Sequence, residues 1–219
     1  MRAAFATLML AALASASMSL ADGDEAVPPR SPRWATALGL GPAFALENTV
    51  FNLPGDRGLR TGGELFAGAR YCLGRHWAVG ARAEAVLATT RSRYGRQDLL
   101  SLPETARYSL QFADASLELR YTISRERWEH YAFLCGGFTN TTASVSLWND
   151  IVARGYAGGG GAGIGYVTNS DMAFGLEGQV MAGDAKWERL PYPTSAGRGF
   201  NPGYVAIHLY YERHWGEAD

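Results

Sequence analysis

The sequence predicts an all-β protein, an eight-stranded antiparallel up-and-down transmembrane β-barrel preceded by a cleavable signal peptide. Three observations carry that reading. Segments of about ten to fourteen residues alternate in polarity with no 3.6-residue period, the connections between them alternate short and long, and aromatic residues gather at both ends of the segments. The 219 residues are 47% hydrophobic and 19% charged, enough for one ordinary domain and too apolar for a disordered chain. Twenty bases against 21 acids give −1, so no nucleic-acid partner is expected. Cys72 and Cys135, the two cysteines, are too few for a disulfide scaffold or a zinc site and are expected to be unpaired thiols.

Residues 1–21 read as the leader. Arg2 is followed by a charge-free run rich in Ala, Leu and Met that ends in the A-x-A-like options Ala14-Ser15-Ala16 and Ser19-Leu20-Ala21. Cleavage after Ala21 would release an exported chain of net charge −2. A Pro- and acid-rich lead over 22–32 is expected to lie in the periplasm, the barrel to occupy 33–215, and a short tail to follow over 216–219.

Eight strand-length segments fall at roughly 33–46, 62–73, 77–90, 108–122, 130–143, 155–168, 172–184 and 203–215. The second, fourth and sixth connections are short: Gly74-Arg75-His76, 123–129 and Asn169-Ser170-Asp171. The others, at about 47–61, 91–107, 144–154 and 185–202, hold most of the Pro-Gly punctuation. Short turns on one rim and long loops on the other connect an outer-membrane barrel, and an even strand number puts both termini on the periplasmic side.

Polarity alternates within the segments. The second sets Leu65, Ala67, Ala69 and Tyr71 against Glu64 and Arg70, and the third sets Trp77, Val79, Ala81, Ala83, Ala85 and Leu87 against Arg82 and Glu84. The fourth opposes Ala113, Ala115, Leu117, Leu119 and Tyr121 to Asp114, Glu118 and Arg120. The seventh opposes Phe174, Leu176 and Val180 to Glu177 and Gln179, and the last opposes Val205, Ile207, Leu209, Tyr211 and Trp215 to Tyr204, His208, Tyr210, Glu212 and His214. A membrane barrel turns the apolar face to lipid and the charges into its lumen. The short-turn rim carries Trp34, Tyr71, Trp77, Tyr121, Trp128, Tyr131, Tyr166, Phe174, Tyr211 and Trp215, and the long-loop rim Phe44, Phe51, Tyr108, Trp148, Tyr156, Trp187 and Tyr204, two belts suited to the two headgroup layers. The predicted lumen then holds Arg70, Arg82 and Arg120 with Glu64, Glu84, Asp114, Glu118, Glu177 and Glu212, expected as a structural salt-bridge network.

This layout, with the leader and the final run Tyr204-Val205-Ala206-Ile207-His208-Leu209-Tyr210-Tyr211-Glu212-Arg213-His214-Trp215, resembles the small eight-stranded bacterial outer-membrane barrels of the OmpA-transmembrane and opacity-protein type. The resemblance covers the whole of 33–215 and is architectural. It implies a monomeric filled barrel in the outer membrane without a wide channel. It also implies a terminal aromatic signal read by the barrel-assembly machinery, matched here by Trp215 with Tyr211, although four residues follow Trp215.

Other motifs point elsewhere. Gly158, Gly160 and Gly163 form a formal G-x-G-x-x-G, but no helix follows, so no dinucleotide and no other cofactor is expected. The glycines would instead thin one wall, either to admit bulky lumen side chains from opposite strands or to leave a flat exterior patch. His208 and Glu212 lie about 13 Å apart along a strand, too far for one metal shell, so no metal site is expected. Lipid A acyl hydrolases, which are also small barrels, carry a His-x-Ser-Asn stretch, whereas His208-Leu209-Tyr210-Tyr211 puts Tyr at the nucleophile position. No catalytic residue is assigned, and the chain is read as a non-enzyme with a structural or surface-interaction role. A lipid-modifying enzyme and a secreted lipocalin-like carrier with an apolar interior stand as alternatives. The long loops hold ten bases against six acids, and Arg91, Arg93 and Arg96 are the expected contacts for lipopolysaccharide or an anionic host or surface ligand.

Overall fold

The computed structural model describes residues 34–45, 60–93, 105–145, 151–169, 171–188, 199–200 and 203–216. Strict alternation makes each apolar segment a strand: β1 (Trp34–Ala45), β2 (Arg60–Cys72), β3 (Trp77–Arg93), β4 (Thr105–Arg125), β5 (Trp128–Val145), β6 (Ile151–Asn169), β7 (Met172–Trp187) and β9 (Gly203–Trp215). The two-residue β8 (Gly199–Phe200) faces β7 in the register that β9 continues, since Lys186 opposes Gly199 and Ala182 opposes Gly203. The wall therefore has eight staves. All pairings are antiparallel between successive staves, and β1 pairs with β9 to close the ring.

Closure fixes the geometry. Stepping across the ladders from Trp34 to Tyr71, Val79, Leu119, Leu134, Gly160, Val180 and Val205 returns to β1 at Phe44, ten residues from the start. A stagger of ten over eight strands, with about 3.3 Å per residue and about 4.8 Å between strands, tilts the strands by about 40°.

Several strands outrun the sequence expectation. β3 reaches Arg93 and β4 begins at Thr105, so part of the expected third loop is ladder, and the 123–129 connection contracts to the turn Glu126-Arg127. Backbone pairing needs no apolar face, so the ladder continues where the polarity signal fades. Glu126 takes φ 54°, the left-handed conformation a two-residue hairpin demands and glycine usually supplies.

The outside is apolar. Among the described residues twenty large apolar side chains are exposed, Leu117 at 73% and Leu209 at 64% among them. Directly opposed aromatic pairs ring the short-turn end at alternate seams: Trp34–Tyr71, Trp77–Tyr121, Trp128–Tyr166 and Phe174–Tyr211, with centroids 4.9–5.1 Å apart. Phe138–Tyr156 marks the opposite level. Ten residues of tilted β6 separate Tyr166 from Tyr156, a band about 25 Å tall that matches the hydrocarbon core spanned by bacterial barrels. Two belt expectations are corrected: Tyr131 and Tyr204 fall on inward positions and are buried in the lumen. Phe51 and Trp148 lie outside the described residues, as do the expected leader, the 22–32 lead and all of the tail but Gly216.

Candidate functional site

Inward positions of β2, β3, β4, β7 and β9 deliver the nine charged residues expected in the lumen, each at most 6% exposed. At the short-turn end, Arg70 pairs with Glu118 (3.1 Å) and Glu212, while Arg120 meets Glu118 (3.0 Å), Glu212 (3.3 Å) and Glu177 (3.4 Å). In the middle, Arg82 engages Glu84, Glu177 (2.6 Å) and Glu118 (3.7 Å), and donates to Gln179 Oε1. Gln179 Nε2 in turn donates to Glu64. Toward the long-loop end, the Tyr204 hydroxyl lies 2.7 Å from Glu84 and 2.9 Å from Asp114. Asp114 is the one carboxylate of the nine residues with no cation beside it among the described residues.

Most of the connections join residues far apart in the chain, Arg70 and Glu212 by 142 positions, which is why four residues of the network, Gln179 among them, have no partner legible in the sequence. His208, on the lumen face, sits between Glu64 (3.1 Å) and Glu177 (3.5 Å), Tyr131 donates to Glu177 (2.8 Å), and Tyr204 links Glu84 with Asp114. Parity placed His208 and Tyr204 inside, but nothing local names their partners. Aromatic rings fill the remaining space. The Arg82 guanidinium lies 3.8 Å over Phe66, and that of Arg120 lies 3.8 Å over Tyr131.

Glycines make room for those rings. A Cβ on Gly163 would lie 2.3 Å from the Tyr131 ring, one on Gly161 2.8 Å from Phe133, and one on Gly159 2.6 Å from the Met181 sulfur. At these three positions the bulky groups come from the neighbouring strands β5 and β7, while at Gly165 a Cβ would meet the Tyr210 hydroxyl of the more distant β9. Both thiols are free, and Cys135 Sγ lies 3.4 Å from Met181 Sδ.

The lipocalin alternative required an apolar interior, and the lumen is charged instead. In the stretch compared with acyl hydrolases, His208 and Tyr210 both point inward, away from the lipid-facing surface. His208 and Glu212 have different direct partners, Glu64 and Glu177 for the first and Arg70 and Arg120 for the second, and are linked through Glu177 and Arg120.

At the long-loop end, Arg91 directly opposes Arg107 across β3 and β4, and Arg93 opposes Thr105. Arg91 stands fourteen residues along β3 from Trp77, about 35 Å above the lower aromatic ring and so about 10 Å above the apolar band. Arg96 lies outside the described residues. At the other end, the Trp215 indole donates to Thr36 Oγ1 (3.0 Å) under the Arg213 guanidinium, and the Tyr211 ring meets Phe174. Gly216, at φ 125°, follows the strand.

No family model and no curated protein matches the chain in sequence. Solved structures do match in fold. Neisserial surface protein A is 9% identical with a TM-score of 0.56, over 83% of this chain and 97% of that one. The outer membrane protein OprG from Pseudomonas aeruginosa is 15% identical with a TM-score of 0.51, over 82% and 96%. The fold is that of the small bacterial outer-membrane β-barrels, and the apolar exterior makes the chain a transmembrane barrel of that type.

Proposed function

We propose that the protein is a non-enzymatic barrel of the outer membrane that supports the envelope and meets anionic surfaces through its extracellular end. The observation that carries this is the register that sets positions Arg91 and Arg107 opposite each other on one rung, at the height where lipopolysaccharide displays its phosphates. Arg93 extends the same edge, and Arg96 follows it in sequence. The lumen supports a structural role, because ion pairs and rings occupy the interior that eight strands enclose. Tyr211 and Trp215, at the end of the last strand, suit recognition by the barrel-assembly machinery, and the barrel acts as a monomer.

The test is the triple variant Arg91→Gln, Arg93→Gln, Arg96→Gln, assayed for lipopolysaccharide binding and for adhesion to a sulfated surface. Binding should weaken about tenfold and lose its salt dependence. Unchanged binding and adhesion would refute the proposal.

A further inference from the structure

The lipid-facing wall carries a second feature that neither the lumen nor the loops explain. A hollow of about 580 Å³ opens on the outside of β4, β5 and β6, at the upper edge of the apolar band. Two rungs build it. The lower runs Ala115, Phe138, Tyr156, and the upper runs Ala113, Asn140, Arg154, all outward and exposed. The depression exists because both β4 positions are alanine while the flanking rings are large. Phe138 and Tyr156 lie 5.1 Å apart, tilted by 41°, and are 66% and 68% exposed.

Arg154 stands one rung above the rings, about 5 Å higher along the tilted strand and so within the headgroup layer. Glu188 holds its Nη1 at 3.2 Å from the β7 side, leaving a guanidinium of five N–H donors with one nitrogen engaged among the described residues. Lys186 opposes Arg154 across β7, and Asp184 opposes Tyr156. Both acids, Glu188 and Asp184, thus sit on the β7 side. On the hollow's own side, the outward residues of β4 and β5 are Ala, Phe and Asn, and Arg154 is the one outward charge among the described residues; Asp114 also borders the hollow, but its carboxylate turns into the lumen toward Tyr204.

We propose that this hollow binds one acylated, phosphorylated sugar of the outer leaflet, a headgroup of the lipid A kind. Its phosphate sits on Arg154, its sugar face on Phe138 and Tyr156, and its chain runs down past Ala115. The vertical order matches, with cation and amide above and apolar surface below, and the volume is in the range of a small-molecule site. The proposal rests on the outer-membrane setting proposed above but not on the loop arginines.

The experiment uses the full-length protein folded in phosphatidylcholine nanodiscs, titrated with diphosphoryl lipid A, with bound lipid counted by native mass spectrometry. Wild type should retain one lipid A per barrel. Arg154→Gln and the cavity-filling Ala115→Leu should each weaken retention about tenfold, while both keep the folded gel mobility before heating. Unchanged retention in both variants overturns the proposal, as does equal retention of phosphatidylglycerol or displacement by millimolar inorganic phosphate, which would mark a general anion contact. The Arg91, Arg93 and Arg96 triple variant, run in parallel, should keep the single bound lipid. Its failure and the failure of Arg154→Gln are therefore separate results.

Discussion

Replacing Arg82 with Met removes the cation at the centre of the lumen while keeping most of its apolar stem. Glu177 and Glu118 would keep Arg120, at 3.4 and 3.0 Å. Glu84 would lose its one cation among the described residues and stay fully buried. An uncompensated buried charge of this kind costs about 3–5 kcal/mol. The lost stacking on Phe66 adds up to about 1 kcal/mol, partly returned by a thioether against the ring. The expected loss is about 4 kcal/mol, a shift of roughly a thousandfold in the folding equilibrium. Urea unfolding in phosphatidylcholine vesicles, followed by the emission of the six tryptophans, measures it. Adding Glu84→Gln in the same chain removes the stranded charge and should recover at least half the loss. A loss below about 1 kcal/mol, or a double variant no more stable than the single one, would refute the view that these charges are held by mutual pairing.

Further expectations follow from the same geometry. Asp114→Asn should change stability by less than about 1 kcal/mol, since no cation depends on it, whereas Glu177→Gln, facing Arg82, Arg120 and His208, should cost about 3 kcal/mol or more in the same urea assay. Gly163→Ala should destabilise by about 1–3 kcal/mol through the Tyr131 ring. Gly178→Ala, with nothing within 4 Å of its Cβ, should be neutral or slightly stabilising, and paired melting curves compare the two. Leu117→Arg, on the lipid-facing side of β4, should cost about 2–4 kcal/mol in bilayers. An unaffected variant would argue that Leu117 does not face lipid.

The sequence by itself determined the two faces of five of the eight strands, and the aromatic belts with the resemblance said which face meets lipid. Side chains alternate with a period of two, a strictly local property, so Leu65, Leu117 and Leu209 on one face and Glu64, Glu118 and His208 on the other were legible without any partner. The rim order was legible too, because turn chemistry is local. Tertiary structure alone decided who meets whom. Arg70 reaches Glu212 from 142 positions away, and the ten-residue stagger decides which inward residue lies across the lumen from which. Registers of neighbouring strands set Tyr131 against Gly163 and Ala115 beside Phe138 to open the hollow under Arg154, whereas His208, opposed to Glu177 on β7, reaches Glu64 on β2 only because β9 closes on β1. Alternation fixes a direction within one strand; a contact across the barrel depends on the sum of eight registers, and no single segment encodes that sum.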